Sequence, residues 1–318
     1  MPALEYEKKT RVVLATAQLE ASLVGLLTSD PRFEVTIAPA TNEQELARVA
    51  ADAEILITRS YNRVTRKVME GAAGLKAVAQ AASGIDNIDL DAARELGIEV
   101  LSLPGINANA VAELVFGFLI SLTRTVPLYT RQVRDGVWQR EDCVSRHELA
   151  HYRLGLVGLG HVGTAMARLA RVFGMPVTAL DPYLNKPDFA ERGAMRAAGL
   201  QELLEQSDIV SLHVPLTDET RRMIGAGEIA QIRRGGILIN AARGEVIDLA
   251  AALKALESNH LGGLALDVFD SEPPSIRFPD DPRLILTPHI AGCTHECRTA
   301  SGERLYEKIV AFCGGDAR

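Results

Sequence analysis

Short apolar runs alternate with stretches of helical periodicity along almost the whole chain, and this alternation restricts the fold more than any other feature. Arg11 to Ala15, Phe33 to Ile37, Glu54 to Thr58, Leu75 to Ala79 and Ile98 to Leu101 read as strands. Leu19 to Leu27, Glu43 to Val49 and Leu90 to Leu96 read as helices between them. A long apolar helix, Ala108 to Thr123, and a polar stretch, Gln132 to Arg153, come next. A second series then begins with strand Leu154 to Val157, helix Val162 to Phe173 and strand Val177 to Leu180. Further strands are Ile209 to Leu212, Gly236 to Asn240, Leu264 to Leu266 and Leu284 to Leu286. Strands separated by helices pair in parallel, and their apolar faces need helices on both sides. The pattern predicts α/β architecture in two units, with no solenoid repeat.

Length agrees, since 318 residues fit two ordinary domains. A formal charge of −7 argues against a nucleic-acid surface. No apolar run reaches the roughly 18 residues that span a bilayer; Val111 to Leu122 is broken by Glu113. The charged start, with Glu5, Glu7, Lys8 and Lys9, does not read as a signal peptide. With only four cysteines, the expectation is a reducing, cytoplasmic setting and no membrane. Cys293, His295 and Cys297 are close together but lack zinc-site spacing, so no metal is expected.

Gly158-Leu159-Gly160-His161-Val162-Gly163 matches G-x-G-x-x-G. The pattern is weak alone, but here a strand precedes it and a helix follows. Gly158 permits a tight turn, Gly160 lets backbone approach a pyrophosphate, and Gly163 lets helix and strand pack closely. The pyrophosphate then meets the positive end of the helix dipole. Asp181, 18 positions past Gly163, suits the adenine-ribose hydroxyls and repels a 2'-phosphate. NAD is therefore expected over NADP.

Three residues follow in order: Arg243, Glu272 and His289. A guanidinium can hold a carboxylate with two parallel hydrogen bonds. An imidazole can move a proton near neutral pH, and a carboxylate beside it can orient the ring. Downstream of a nucleotide motif, the trio suggests hydride transfer on a small 2-hydroxy or 2-oxo acid.

These segments together resemble the D-isomer-specific 2-hydroxyacid dehydrogenases. The likeness is carried by the glycine motif, Asp181-Pro182, His213-Val214-Pro215-Leu216-Thr217, Asn240 to Gly244, Asp267-Val268-Phe269 with Glu272-Pro273, and Pro288 to Gly292. It extends to Gly84 to Asp89, Asn107 to Glu113 and Gly136-Val137-Trp138. The resemblance implies two doubly wound parallel-sheet domains, a Rossmann NAD-binding domain (107–291) inserted in a flavodoxin-like substrate domain (1–106 and 292–318). It implies a cleft between them as active site, and a homodimer; the helix after Asn107 and the Trp138 stretch are candidate interfaces.

The resemblance also implies roles. Arg243 would bind the substrate carboxylate, His289 would exchange the hydroxyl proton, and Glu272 would hold His289 and favour its protonated form. Cofactor contacts would come from Gly158, Gly160, His161, Val162, Gly163, Asp181, Pro182, His213, Val214, Pro215, Thr220, Ala241, Ala242, Asp267 and Gly292. Substrate contacts would come from Arg59, Ser60, Tyr61, Arg63, Ser83, Gly84, Ile85 and Asn107. Phosphoglycerate dehydrogenases look similar around Arg59 to Val64, but Gln80 and Tyr61-Asn62-Arg63 depart from their pattern. Arg59 and Arg63 would suit a second anionic group, phosphate, sulfonate or carboxylate. Glyoxylate or hydroxypyruvate reduction is the smaller-substrate alternative. An NAD(H)-sensing role like that of the C-terminal-binding-protein corepressors is the alternative of another class, and the compact chain without extensions disfavours it.

Overall fold

A computed structural model of the chain describes residues 9–17, 19–141 and 146–314, so the reading of Glu5, Glu7 and Lys8 lies outside the described residues. The chain forms two compact units, 1–106 with 294–318, and 107–293.

The first unit contains a five-stranded parallel sheet. Its elements are β1 (Thr10–Leu14), α1 (Ala21–Ser29), β2 (Phe33–Ile37), α2 (Glu43–Ala50), β3 (Ile55–Thr58), α3 (Arg66–Glu70), β4 (Ala77–Gln80), α4 (Leu90–Glu95) and β5 (Glu99–Leu101). A C-terminal helix, His295–Cys313, completes it. The strand order is β2-β1-β3-β4-β5. Val12 and Leu14 enter one core with Ile55 and Ile57, while Val13 enters the other with Leu56. This period of two with every β3 residue buried is what a sheet covered on both faces requires. Each such aliphatic side chain contributes about 1.5–3 kcal/mol on burial. Leu305 and Ile309 of the C-terminal helix pack with Leu23 and Leu27 of α1. Side-chain caps start α2 (Asn42), α4 (Asp89) and the C-terminal helix (Thr294).

The second unit opens with α5 (Ala108–Thr123) and α6 (Val126–Arg134). It continues through β6 (Leu154–Val157), α7 (His161–Val172), β7 (Val177–Leu180), α8 (Lys186–Glu191), β8 (Met195–Arg196), α9 (Leu200–Gln206) and β9 (Ile209–Leu212). Then come α10 (Ala226–Gln231), β10 (Gly236–Asn240), α11 (Leu249–Glu257), β11 (Leu261–Leu266) and β12 (Leu284–Leu286). All seven strands are parallel, in the order β12-β11-β10-β9-β6-β7-β8. The order reverses around β6, so a crevice opens at the carboxyl end of that strand, the usual ligand position in such sheets. The unit runs to Cys293 rather than ending at residue 291. Gly292 lies against Asn107 so closely that an added Cβ would sit 2.8 Å from the Asn107 Nδ2, which keeps Gly292 with this unit.

Of the two candidate interfaces, the apolar helix after Asn107 buries Val111, Ala112, Val115, Phe116, Phe118, Leu119 and Leu122 in the unit's own core, while Ile120 on the same helix is 38% exposed. Trp138 remains 80% exposed. Among the described residues no single helix is long and apolar enough to cross a membrane.

Candidate active site

Parallel strands bring their carboxyl ends to one edge of the second sheet, and the sequence-predicted residues collect there. Gly158 follows β6, Asp181 follows β7, His213 follows β9, Arg243 lies just past β10, Asp267 follows β11, and His289 lies just past β12.

At the nucleotide end, Gly158 has φ +94°, and a Cβ there would sit 2.5 Å from the His213 carbonyl oxygen. A Cβ on Gly163 would sit 2.2 Å from the Gly158 oxygen. The chain itself therefore requires glycine at both positions. Gly160 differs: no neighbouring atom lies within 4 Å of the Cβ position, and its φ is negative. Nothing internal demands glycine there, whereas close approach of a pyrophosphate would. Gly160 is also the N-cap of α7 and offers no side-chain cap, leaving first-turn N–H groups for an anion. The Asp181 carboxylate accepts the Leu159 N–H (2.9 Å) and the Tyr183 N–H (3.1 Å), which fixes it at the end of β7. These residues fit a dinucleotide. His161 and Pro182 are exposed and Val162 half-buried beside them.

His213 is half-buried as a residue, but its ring is desolvated, and Nε2 lies 3.0 Å from the hydroxyl of fully buried Ser211. Desolvation pushes the imidazole down from 6.5 to about 3, so it stays neutral at ordinary pH. Thr220, expected near cofactor phosphates, donates its hydroxyl to the Pro215 carbonyl (2.6 Å) and closes the 215–220 turn. Val214 is half-buried and Pro215 exposed.

The acid-base pair is formed. His289 Nδ1 lies 2.7 Å from Glu272 Oε2. Glu272 Oε1 accepts the Phe269 N–H (3.2 Å), so the carboxylate is fixed from behind. An ionised carboxylate only accepts, which puts the proton on Nδ1 and leaves Nε2 to exchange protons with a substrate. Both side chains are accessible, at 40% and 39%.

His289 has φ +53°, a left-handed conformation that a non-glycine residue holds only when its surroundings impose it. Asp267 imposes it. Its backbone oxygen accepts the His289 N–H (2.8 Å), and its carboxylate accepts the Ile290 and Ala291 N–H groups (2.9 Å each) and the Thr287 hydroxyl (2.5 Å). Asp267 was expected among the nicotinamide contacts. It is fully buried, and the work visible in the structure is to hold the His289 loop.

Arg243 lies half-buried beyond β10, with Nη1 donating to the Ala242 carbonyl (2.7 Å). Asn240, fully buried, shapes this turn: its Nδ2 donates to the Arg243 oxygen (2.8 Å) and its Oδ1 accepts the Ala242 N–H (3.0 Å). Ala241 is half-buried and Ala242 buried.

In the first unit, the residues expected to meet substrate follow β3 and β4. Ser83 Oγ accepts the Gly105 N–H (3.1 Å), and Gly84 and Ile85 are half-buried. Ser60 and Arg63 are exposed. Tyr61 shares a hydroxyl–hydroxyl hydrogen bond with Thr16. Arg59 does not stand open to solvent: Nη1 is 3.2 Å from Oε1 of buried Glu20. Asn107 is the N-cap of α5, facing Gly292.

A family model described as the D-isomer specific 2-hydroxyacid dehydrogenase NAD binding domain matches residues 116–291. The chain is 40% identical over 275 residues to an (S)-sulfolactate dehydrogenase of Chromohalobacter salexigens, covering 86% of this chain and 87% of that protein. The chain belongs to the D-isomer-specific 2-hydroxyacid dehydrogenases. It is also 37% identical to a D-3-phosphoglycerate dehydrogenase of Methanocaldococcus jannaschii, over 96% of this chain but 58% of that protein's length. The D-lactate dehydrogenase of Aquifex aeolicus, solved with NAD and lactic acid, matches with TM-score 0.85 and 28% identity, over 96% of each chain.

Sequence reading of this family member missed Asn240, Gly244 and Gln80 as site builders. Gly244 packs against backbone beside Phe269. Gln80, fully buried, accepts the Thr58 hydroxyl (2.7 Å) and donates to the Gly84 oxygen (3.2 Å) and Asn87 Oδ1 (2.8 Å). The available signal was a polar residue ending an otherwise apolar strand, since a buried amide must find partners.

Proposed function

We propose that this chain transfers a hydride between NAD and C2 of a small 2-hydroxy or 2-oxo acid carrying a second anionic group. The observation that carries the reading is the 2.7 Å His289–Glu272 pair, on the same sheet edge as the dinucleotide motif and Arg243. NAD, when bound, supplies or accepts the hydride. Arg243 holds the C1 carboxylate through its guanidinium and polarises the C2 carbonyl. In reduction, Nε2 of His289 gives its proton to the carbonyl oxygen as C2 gains the hydride. In oxidation, the same nitrogen takes the hydroxyl proton. Glu272 fixes the ring so that Nε2 faces the substrate. Arg59 and the loop from Ser83 to Ile85 serve substrate recognition, and the resemblance to a sulfolactate dehydrogenase favours a second anion. Asp181 makes NAD the preferred cofactor.

A homodimer in the cytoplasm completes the proposal. Val133, Val137 and Trp138 form an exposed apolar stretch for a second copy, and Cys293 and Cys313 are free thiols. NADH oxidation across glyoxylate, hydroxypyruvate, phosphohydroxypyruvate, oxaloacetate, sulfopyruvate and pyruvate tests the reading. Turnover of a doubly anionic acid supports it; preference for glyoxylate or hydroxypyruvate makes the chain a small-acid reductase. Tight NADH binding without turnover of any acid would favour a nucleotide-sensing role.

A further inference from the structure

Leu159, the second residue of the glycine loop, is held at both ends of its backbone by opposite charges. Its N–H donates to Asp181 Oδ2 (2.9 Å), and its carbonyl accepts from Arg192 Nη1 (2.6 Å). The Thr164 hydroxyl, in the first turns of α7, donates to the same carbonyl (3.2 Å). The Leu159 side chain is fully buried in the core of the second unit. Arg192 comes from outside the loop. It caps the C-terminus of α8, where its N–H donates to the Asp188 carbonyl (3.0 Å), and it stands 33 positions after Leu159. Phe189, 1% exposed, anchors α8 in the same core.

Peptide planarity carries this contact to the next residue. The Leu159 C=O and the Gly160 N–H belong to one trans peptide, so they point in opposite directions. Holding the carbonyl on Arg192 and Thr164 therefore fixes where the Gly160 N–H points. By the same rule, Asp181 on the Leu159 N–H fixes the Gly158 carbonyl, the oxygen that a Cβ on Gly163 would meet at 2.2 Å. Two successive peptide planes are thus set by contacts within the chain. A hydrogen bond from an ionised donor is roughly twice as strong as a neutral one, so Arg192 is the firmer of the two supports of the carbonyl. A donor already aimed at an anion spends less of the binding free energy on ordering.

We infer that Arg192 is a positioning residue of the dinucleotide site, aiming the Gly160 N–H at the pyrophosphate through the Leu159 carbonyl, with Thr164 as the second support. The inference rests on the reading of Gly158 to Gly163 as the pyrophosphate loop. Affinity for the phosphates then depends on Arg192, whereas affinity for the adenosine portion does not.

The test compares wild type, Arg192→Ala and Thr164→Val in two measurements on the full chain. The first is affinity, by fluorescence titration with NADH and by ligand-observed NMR titration with adenosine, which lacks the phosphates. Arg192→Ala should weaken NADH about tenfold, the step that about 1.4 kcal/mol produces, and leave adenosine within about twofold. Thr164→Val should weaken NADH by a smaller factor, again sparing adenosine. The second is amide hydrogen exchange without nucleotide. The Leu159 N–H, bonded to Asp181, should exchange about tenfold faster in Arg192→Ala, because the residue has lost the support at its other end. Unchanged NADH affinity, or equal losses for NADH and adenosine, overturns the inference, as does unchanged Leu159 exchange in a folded Arg192→Ala protein. If Arg192→Ala does not fold, Thr164→Val decides by the same two readouts. A wild type that binds no NADH sinks the pyrophosphate-loop reading separately, and Leu159 exchange then still decides whether Arg192 fixes the loop.

Discussion

Gly244→Ala adds one methyl group where the fold has no room. The new Cβ would lie 2.0 Å from the Phe269 carbonyl carbon, 2.3 Å from its oxygen and 2.4 Å from the Asp270 nitrogen. All three are backbone atoms, so no side chain can rotate away. Reaching ordinary contact near 3.4 Å needs the two segments to part by about 1.4 Å. Overpacking of this kind costs about 2–3 kcal/mol. For a unit of this size each kcal/mol lowers Tm by about 2–4 °C, giving a drop of about 4–12 °C. The displaced segments also carry the residues proposed to act on the substrate. Arg243 precedes Gly244, and the Phe269 N–H holds Glu272 Oε1 at 3.2 Å. A shift near 1 Å in such groups costs about 100-fold in rate. Differential scanning calorimetry and steady-state kinetics with the best 2-oxo acid measure both effects. A variant with wild-type Tm and wild-type kcat/KM would show that Gly244 does not set the spacing between Arg243 and Glu272.

His289→Ala should lose about 10²–10⁴-fold in kcat while NADH affinity, read by fluorescence titration, stays within about twofold; near-normal turnover removes His289 from the mechanism. Arg243→Ala should raise KM and lower kcat together, and a pure KM effect would restrict it to binding. Asp181→Ala should weaken NADH, because the Leu159 N–H loses its acceptor (2.9 Å), and should relieve exclusion of NADPH; equal use of both cofactors by wild type contradicts the assignment. His213 gives a pH signature. Its folded pKa is depressed to about 3 against 6.5 unperturbed, so the unfolded chain binds the proton first as pH falls. Its stabilising effect is complete above pH 6.5 and declines between 6.5 and 3, by about 1.4 kcal/mol per pH unit. His213→Asn should flatten urea-unfolding stability over that window, and an identical slope in both proteins rules the ring out.

Much of the architecture was legible because the strands of a two-sided parallel sheet are nearly continuous apolar runs. Leu154–Val157, Val177–Leu180, Ile209–Leu212, Gly236–Asn240 and Leu284–Leu286 are strands at those residues. The helices α8, α9, α10 and α11 were not read from the sequence, although α4, as short as α8 and α10, was. The reading of Gln132 to Arg153 as one polar stretch passed over the end of α6, whose residues are all at least half-exposed. His289 and Glu272 were identifiable from residue type and order, yet the supports of the site were not. Asp267 entered as a cofactor contact implied by the family resemblance, which says nothing of its hydrogen bonds within the chain. Its hydrogen bonds run to residues about 20 positions later in the chain, which no local pattern reports. The Glu20–Arg298 ion pair of the first unit was missed for the same reason, since 278 positions separate two residues that stand 3.5 Å apart.

Asp267 ties the His289 loop to the end of β11, and Phe269 on the same segment ties Glu272. The His289–Glu272 pair is therefore internally braced over some 25 consecutive residues, from Asp267 to Ala291. The ion pairs of Glu20 with Arg59 and Arg298 are held elsewhere, by the first unit. A change in the ion pairs of Glu20 with Arg59 and Arg298 therefore breaks none of the hydrogen bonds that brace His289 and Glu272, and the two sets of contacts can vary independently.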